Sequence, residues 1–265
     1  APKYTINEEL LKNAKSLKVI ATPSTGSNHI DKNYCGKNNI EVFALKDTDF
    51  VNSIYASSEF AFSLILSVAR NLPQAAQSVL GYQWREVEDK FRGIELRGKN
   101  LGIIGYGRIG SNVASYALAM GMNVNAYDPY VEIEKPVNEC NSYEEVLQDS
   151  DILLIAVHLD DDTANMVDIS WFKKMKKGST FINISRGEIV NEKDLIQALE
   201  MGLIKSAGLD VIRDELSMEI KSSEIINYAK SNSNLIITPH IAGLTIDSEA
   251  KAADFSITRI KEFFS

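Results

Sequence analysis

From residue 101 to residue 238 the chain alternates short apolar runs with stretches of helical period, and this alternation restricts the fold more than any other feature. Leu101–Ile104, Asn123–Tyr127, Ile152–Val157, Ser179–Ile184, Ser206–Val211 and Leu235–Thr238 read as strands. Ile109–Met120, Ser142–Leu147, Ile169–Lys174, Glu192–Glu200 and a less regular Glu219–Ala229 read as the helices between them. Strand-then-helix repetition implies parallel strands joined by right-handed crossovers. The run "ILLIAV" at 152–157 is apolar on both faces, as in a sheet covered on both sides. The expected class is α/β, a doubly wound parallel sheet.

The region before residue 101 is organised differently. Two strands, Leu17–Ala21 and Glu41–Ala44, flank the turn-rich loop "TPSTGSNHID" at 22–31. A long helix is predicted over Ser57–Leu80, which Pro73 should kink or divide. An amphipathic helix, Asp247–Phe264, follows the last strand. We therefore expect a smaller domain from residues 1–52 with 246–265 and a larger one from 53–245.

Bulk properties remove several classes of function. A formal net charge of −8 opposes binding to nucleic acid or to an anionic membrane surface. The best apolar run, Phe60–Ala69, is too short to span a bilayer and is broken by serines. The first residues have no apolar signal-peptide core, and the two cysteines, Cys35 and Cys140, form no metal or redox motif, so a cytoplasmic protein is expected. The acidic run at 160–162 reads as a solvated loop, and no metal is assigned.

Gly105, Gly107 and Gly110 form a G-x-G-x-x-G pattern with a strand before it and a helix after it. In that context the glycines permit a tight turn, close approach of a pyrophosphate and packing of helix on strand, which makes the fold Rossmann-type. The pyrophosphate would rest on the amides of the helix N-terminus. Asp128 ends the next strand, eighteen residues beyond Gly110. A carboxylate there accepts hydrogen bonds from ribose hydroxyls and repels a 2′-phosphate, so NAD is expected rather than NADP.

Ligands of open α/β sheets bind beyond the carboxyl ends of the strands. His158, Arg186, Asp210 with Glu215, and His240 follow four successive predicted strands. His158 reads as a structural hydrogen-bonder or an adenine-side contact. The other positions supply what reduction of a 2-oxo acid needs. An arginine can grip and polarise the acid, a histidine can serve as proton donor, and a carboxylate can orient that histidine.

These residues lie within segments that resemble the D-isomer-specific 2-hydroxyacid dehydrogenases, including D-3-phosphoglycerate dehydrogenase-like proteins. The segments are "STGSNHID" (24–31), "ASSEFAFSLILSVARNLP" (56–73), "RGKNLGIIGYGRIGSNVA" (97–114), "AYDPY" (126–130), "KKGSTFINISRGEIVNEKDLIQAL" (176–199), "GLDVIRDE" (208–215) and "TPHIAGLT" (238–245). The resemblance implies Arg186 as substrate-binding arginine, Glu215 as carboxylate partner and His240 as acid/base. It places Arg108 and Ile109 at the pyrophosphate, Asp128 at the ribose and Asp210 at the nicotinamide carboxamide. Ile184, Ser185 and the segment His240–Gly243, with Ala242, would line the nicotinamide side. Backbone amides of Ser24, Thr25, Gly26 and Ser27 would meet the substrate carboxylate.

The chain departs from the family pattern in three places. It begins after a βαβ-sized part of the substrate domain, which implies a truncated flavodoxin-like unit. The loop after His158 is a shorter "LDDD", and Leu216 stands where a proline usually follows the glutamate. The implied activity is NAD-dependent interconversion of a small D-2-hydroxy acid and its 2-oxo acid, in a homodimer supported by the helix Ser57–Leu80. Two alternatives stay open: a relative acting on another acid, such as phosphite, and an NAD(H)-binding sensor on the same fold.

Overall fold

The computed structural model describes residues 4–24, 26–27, 29–45, 49–216 and 219–265. The chain divides into two compact units, Ala1–Ala56 with Gly243–Ser265, and Ser57–Ala242. In the smaller unit, α1 (Glu8–Leu11), β1 (Val19–Thr22), α2 (Lys32–Lys37) and β2 (Glu41–Ala44) follow in order. β1 and β2 pair in parallel, Val19 opposite Glu41 and Thr22 opposite Ala44. Asn7 and Asp31 cap the two short helices through their side chains. Leu11, Ile30, Cys35 and Ile40 form one small core.

The larger unit contains α3 (Ala56–Ala69), α4 (Leu72–Leu80), β3 (Asn100–Ile104), α5 (Arg108–Ala119), β4 (Asn123–Tyr127), β5 (Asn138–Glu139), α6 (Tyr143–Asp149), β6 (Ile152–Ile155), α7 (Ile169–Lys174), β7 (Thr180–Asn183), α8 (Glu192–Glu200), β8 (Ser206–Leu209), α9 (Glu224–Ser231) and β9 (Leu235–Ile237). Its seven strands are all parallel, in the order β5-β4-β3-β6-β7-β8-β9. The order reverses between β3 and β6, the switch point at which a doubly wound sheet opens a crevice for ligands. The chain returns to the smaller unit in α10 (Ile246–Phe264), which a Thr245–Ser248 capping box starts. Against that helix Leu45 and Ile54 bury Ala252 and Phe255.

Both faces of the large sheet are covered, as its apolar strands require. Leu153 and Ile155 of β6 face one core with Phe172, Phe181 and Leu195; Ile152 and Leu154 face the other with Leu64, Ile65 and Val113. Each such fully buried side chain contributes about 1.5–3 kcal/mol of transfer free energy. The predicted long helix is two helices. The break falls at Asn71, which adopts φ 51°, and Pro73 sits in the first turn of α4. Proline is harmless there because that amide has no partner within the helix. The short edge strand β5 has no alternating apolar pattern and was not predicted.

Candidate active site

The glycine turn lies between β3 and α5, beside the switch point. Gly105 has φ 93°, and a Cβ there would come 2.6 Å from the carbonyl oxygen of Ala156, just past the end of β6. A Cβ on Gly110 would come 2.2 Å from the carbonyl oxygen of Gly105, so the helix meets the turn backbone to backbone. Gly107 has open space around its Cβ position and stands at the N-cap of α5, where no side chain caps the helix. Ile109 packs partly into the core below. Burial lowers the Arg108 guanidinium from its ordinary value, a penalty that a bound anion would offset.

Asp128 closes the turn from the end of β4. Its Oδ2 accepts the Tyr106 amide at 2.8 Å and its Oδ1 accepts the Tyr130 amide at 2.9 Å. Each oxygen keeps capacity for a further donor.

Three loops leave the adjacent strands β7, β8 and β9. After β7, Ile184 is buried, the Ser185 hydroxyl donates to the Ile155 carbonyl at 3.1 Å, and Nη1 of Arg186 donates to the Ser185 carbonyl at 2.6 Å. The next residue, Gly187, lies on the backbone of the loop after β8: a Cβ there would stand 2.0 Å from the carbonyl carbon of Ile212. The loop bearing Arg186 and the loop bearing Glu215 are therefore in backbone contact.

After β9 the chain makes a tight turn. The His240 amide donates to the Thr238 carbonyl at 3.0 Å across Pro239, an inverse γ-turn given the φ that proline imposes. His240 itself is left-handed, at φ 53°. Such a conformation costs a non-glycine residue about 1–3 kcal/mol and persists only where its surroundings enforce it. Asp210, fully buried at the end of β8, does so from both sides. Its Oδ1 accepts the Thr238 hydroxyl at 2.6 Å and the Ile241 amide at 3.0 Å, and its Oδ2 accepts the Ala242 amide at 2.7 Å. The turn delivers Nδ1 of His240 to 2.5 Å from Oε1 of Glu215, both side chains about three-quarters buried.

The Thr238 hydroxyl and the amides of Ile241 and Ala242 were not visible as Asp210 partners in the sequence. The only signal is the threonine of "TPH". His158 stands after β6, and its carbonyl accepts the Thr163 hydroxyl at 2.6 Å. In the smaller unit, the Ser24 hydroxyl donates to the Gly26 carbonyl at 2.6 Å and lies 2.8 Å from the Thr22 hydroxyl. Ser27 is buried, and the Gly243 carbonyl accepts the Ser248 hydroxyl at 2.6 Å. Thr25 lies outside the described residues. Among the described residues no group of three or more histidine, cysteine or acidic side chains could hold a metal ion, and no helix is long and apolar enough to cross a membrane.

Comparison with known proteins identifies the family of the chain. The model of the D-isomer specific 2-hydroxyacid dehydrogenase NAD binding domain matches residues 62–242, and that of the family's catalytic domain matches residues 2–53. The chain belongs to the D-isomer specific 2-hydroxyacid dehydrogenase family. Among its relatives, D-3-phosphoglycerate dehydrogenase of Archaeoglobus fulgidus is 34% identical over 92% of this chain and 45% of its own length. Hydroxypyruvate reductase of Blautia hydrogenotrophica is 32% identical over 98% of this chain and 80% of its own length. The chain thus spans about half the length of the phosphoglycerate dehydrogenases it matches. The structure of D-lactate dehydrogenase from Aquifex aeolicus, complexed with NAD and lactic acid, superposes with a TM-score of 0.82 at 32% identity, covering 98% of this chain and 80% of that one.

The residues present fit the family's cofactor. The helix start at Gly107 offers uncapped amides to a pyrophosphate, Gly107 leaves the space for it, and the Asp128 carboxylate is fixed beside them.

Proposed function

We propose that this protein is an NAD-dependent oxidoreductase that interconverts a small D-2-hydroxy acid and its 2-oxo acid. The observation that carries the reading is the His240–Glu215 contact of 2.5 Å, built on a strained turn and in the unit that matches the family's NAD-binding domain. Strain held at such a position is a mark of function.

When bound, the nicotinamide supplies or accepts the hydride. The helix start at Arg108, Ile109 and Gly110 holds the pyrophosphate, and Asp128 takes the ribose hydroxyls and disfavours a 2′-phosphate. Ile184, Ser185, Asp210, Ala242 and Gly243 serve the nicotinamide side. Arg186 grips the 2-oxo acid through its planar fork of donors and polarises the carbonyl. His240 gives a proton to the alkoxide oxygen as it forms, and takes the hydroxyl proton in the opposite direction. Glu215 keeps a proton on Nδ1 throughout, so exchange with substrate runs through Nε2.

The named relatives act on different acids, so the side chain of the substrate is left to experiment. A panel of 2-oxo acids with NADH, followed by loss of reduced-nicotinamide absorbance, tests the reading. Oxidation of NADH by at least one acid is expected. NADH binding without turnover of any acid would overturn it in favour of an NAD(H) sensor.

We further propose a homodimer. α4 buries none of its residues, and Leu72, Leu80, Tyr82 and Trp84 expose 59%, 74%, 98% and 68% of their surface. So much apolar surface on one short segment marks an interaction site. Light scattering should give twice the chain mass, and a monomer at micromolar concentration would remove this part of the proposal. The two buried free thiols, Cys35 and Cys140, suit a reducing cytoplasm.

A further inference from the structure

We propose that Arg213 is a positioning residue that locks the loops after β6, β7 and β8 into one register, so that Glu215 meets Nδ1 of His240. The inference rests on the reading of Glu215 and His240 given above.

Arg213 stands two residues before Glu215, and its guanidinium reaches into the neighbouring loops. Nη2 donates to the side-chain oxygen of Asn165, to the Glu188 carbonyl at 3.1 Å and to the Val190 carbonyl at 3.3 Å. Asn165 belongs to the loop after β6, is itself left-handed at φ 56°, and sends its own amide to the Glu188 carbonyl at 2.9 Å. Glu188 and Val190 belong to the segment that follows Arg186. One guanidinium therefore ties three strand-end loops together.

The main chain of Arg213 is fixed as well. Its amide donates to Oε1 of Glu192 at 2.7 Å, and the Asp214 amide lies 3.4 Å from Oε1 of Glu188. Asp214 then turns left-handed, at φ 55°, immediately before Glu215. The path of the backbone into Glu215 is thus set by contacts to the Arg186 segment and to α8, and Gly187 permits the approach. Arginine suits the clamp because all three contacts come from Nη2, whose N–H directions are fixed by the guanidinium plane, whereas the donors of a lysine ammonium rotate.

The test uses Arg213→Gln and Arg213→Lys in the full chain, with two readouts. The first is the ring tautomer of His240 in its neutral form, read by long-range proton–nitrogen correlation. The chain has only three histidines, and His240→Asn identifies the signal by its loss. The second is steady-state kinetics beside NADH binding by fluorescence. In the wild type the proton is expected on Nδ1. In Arg213→Gln the tautomers should mix, and kcat should fall about tenfold to a hundredfold with NADH affinity unchanged. Arg213→Lys should recover part of both.

A folded Arg213→Gln in which the proton stays on Nδ1 overturns the proposal, whether or not kcat falls, because a loss of rate alone shows only a structural role. If Arg213→Gln does not fold, Asn165→Ala, which removes one acceptor of the clamp, decides the matter by the same readouts and the same criteria. A wild type that turns over no acid, yet whose tautomer shifts on substitution, would refute the enzymatic reading and leave the positional one standing.

Discussion

Nδ1 of His240 lies 2.5 Å from Oε1 of Glu215, and neither residue is carried there by a helix or strand. The contact is made by two loops with left-handed residues at or beside each partner, φ 53° at His240 and φ 55° at Asp214. Replacing His240 by Ala removes the proposed proton donor and leaves the glycine turn untouched. We expect kcat to fall about 10²–10⁴-fold, the usual worth of a general acid, with NADH affinity unchanged. Single-turnover kinetics and fluorescence titration check the two halves separately; wild-type turnover in this variant would remove His240 from the mechanism.

Asp210 accepts three donors from the turn that bears His240, and it is fully buried. Asp210→Asn keeps its shape but turns one acceptor into a donor facing another donor. A buried mismatch of this kind costs about 1–3 kcal/mol, so the urea midpoint should drop while the slope stays constant. The same change should loosen the turn and lower kcat.

Asp128 is held by the Tyr106 and Tyr130 amides at 2.8 and 2.9 Å. Asp128→Ser removes the charge that would repel a 2′-phosphate. The KM for NADH should rise about tenfold, the equivalent of one good hydrogen bond, and the preference for NADH over NADPH should narrow or vanish. Parallel titrations with the two cofactors report it. An unchanged ratio would show that Asp128 does not face the ribose.

Burial raises the Glu192 carboxyl above its ordinary value, and Glu188 and Asp214 add to the shift against the opposing pull of Arg213. A carboxyl raised in this way binds its proton more tightly in the folded chain than in the unfolded one. Its favourable contribution is complete below the ordinary carboxylate range and is lost as pH rises through the raised value. Glu192→Gln keeps an acceptor for the Arg213 amide and removes the charge. The Tm of the variant relative to wild type should therefore be higher at about pH 8 than at about pH 4. A difference in Tm that does not change with pH would show that Glu192 has no such linkage.

The centre of the large sheet was legible in the sequence because β3, β6, β7 and β8 are buried on both faces. Asn123–Tyr127 and Glu192–Glu200 have the boundaries expected from pattern alone. Smaller elements were less visible: α1 and α2 are too short to show a period, and β5 is polar, whereas the division of the long helix was legible in Pro73. The site divides in the same way. Arg186, Glu215 and His240 could be singled out because each follows an apolar strand. The clamp of Arg213 on Asn165, Glu188 and Val190 could not, because it joins residues separated by up to 48 positions through loop carbonyls, whose direction is decided only by the folded backbone.

The four residues of β6 have no exposure to solvent, and the strand lies between β3 and β7 with covered faces on either side. No local fluctuation short of opening the sheet brings water to its amides. Deuterium should enter them last, at a rate set by global unfolding of the larger unit, while the loops bearing Arg186, Glu215 and His240 label early. β6 is thus an internal gauge: in any variant discussed above, the exchange of Leu153 and Leu154 separates a weakened fold from a misplaced loop.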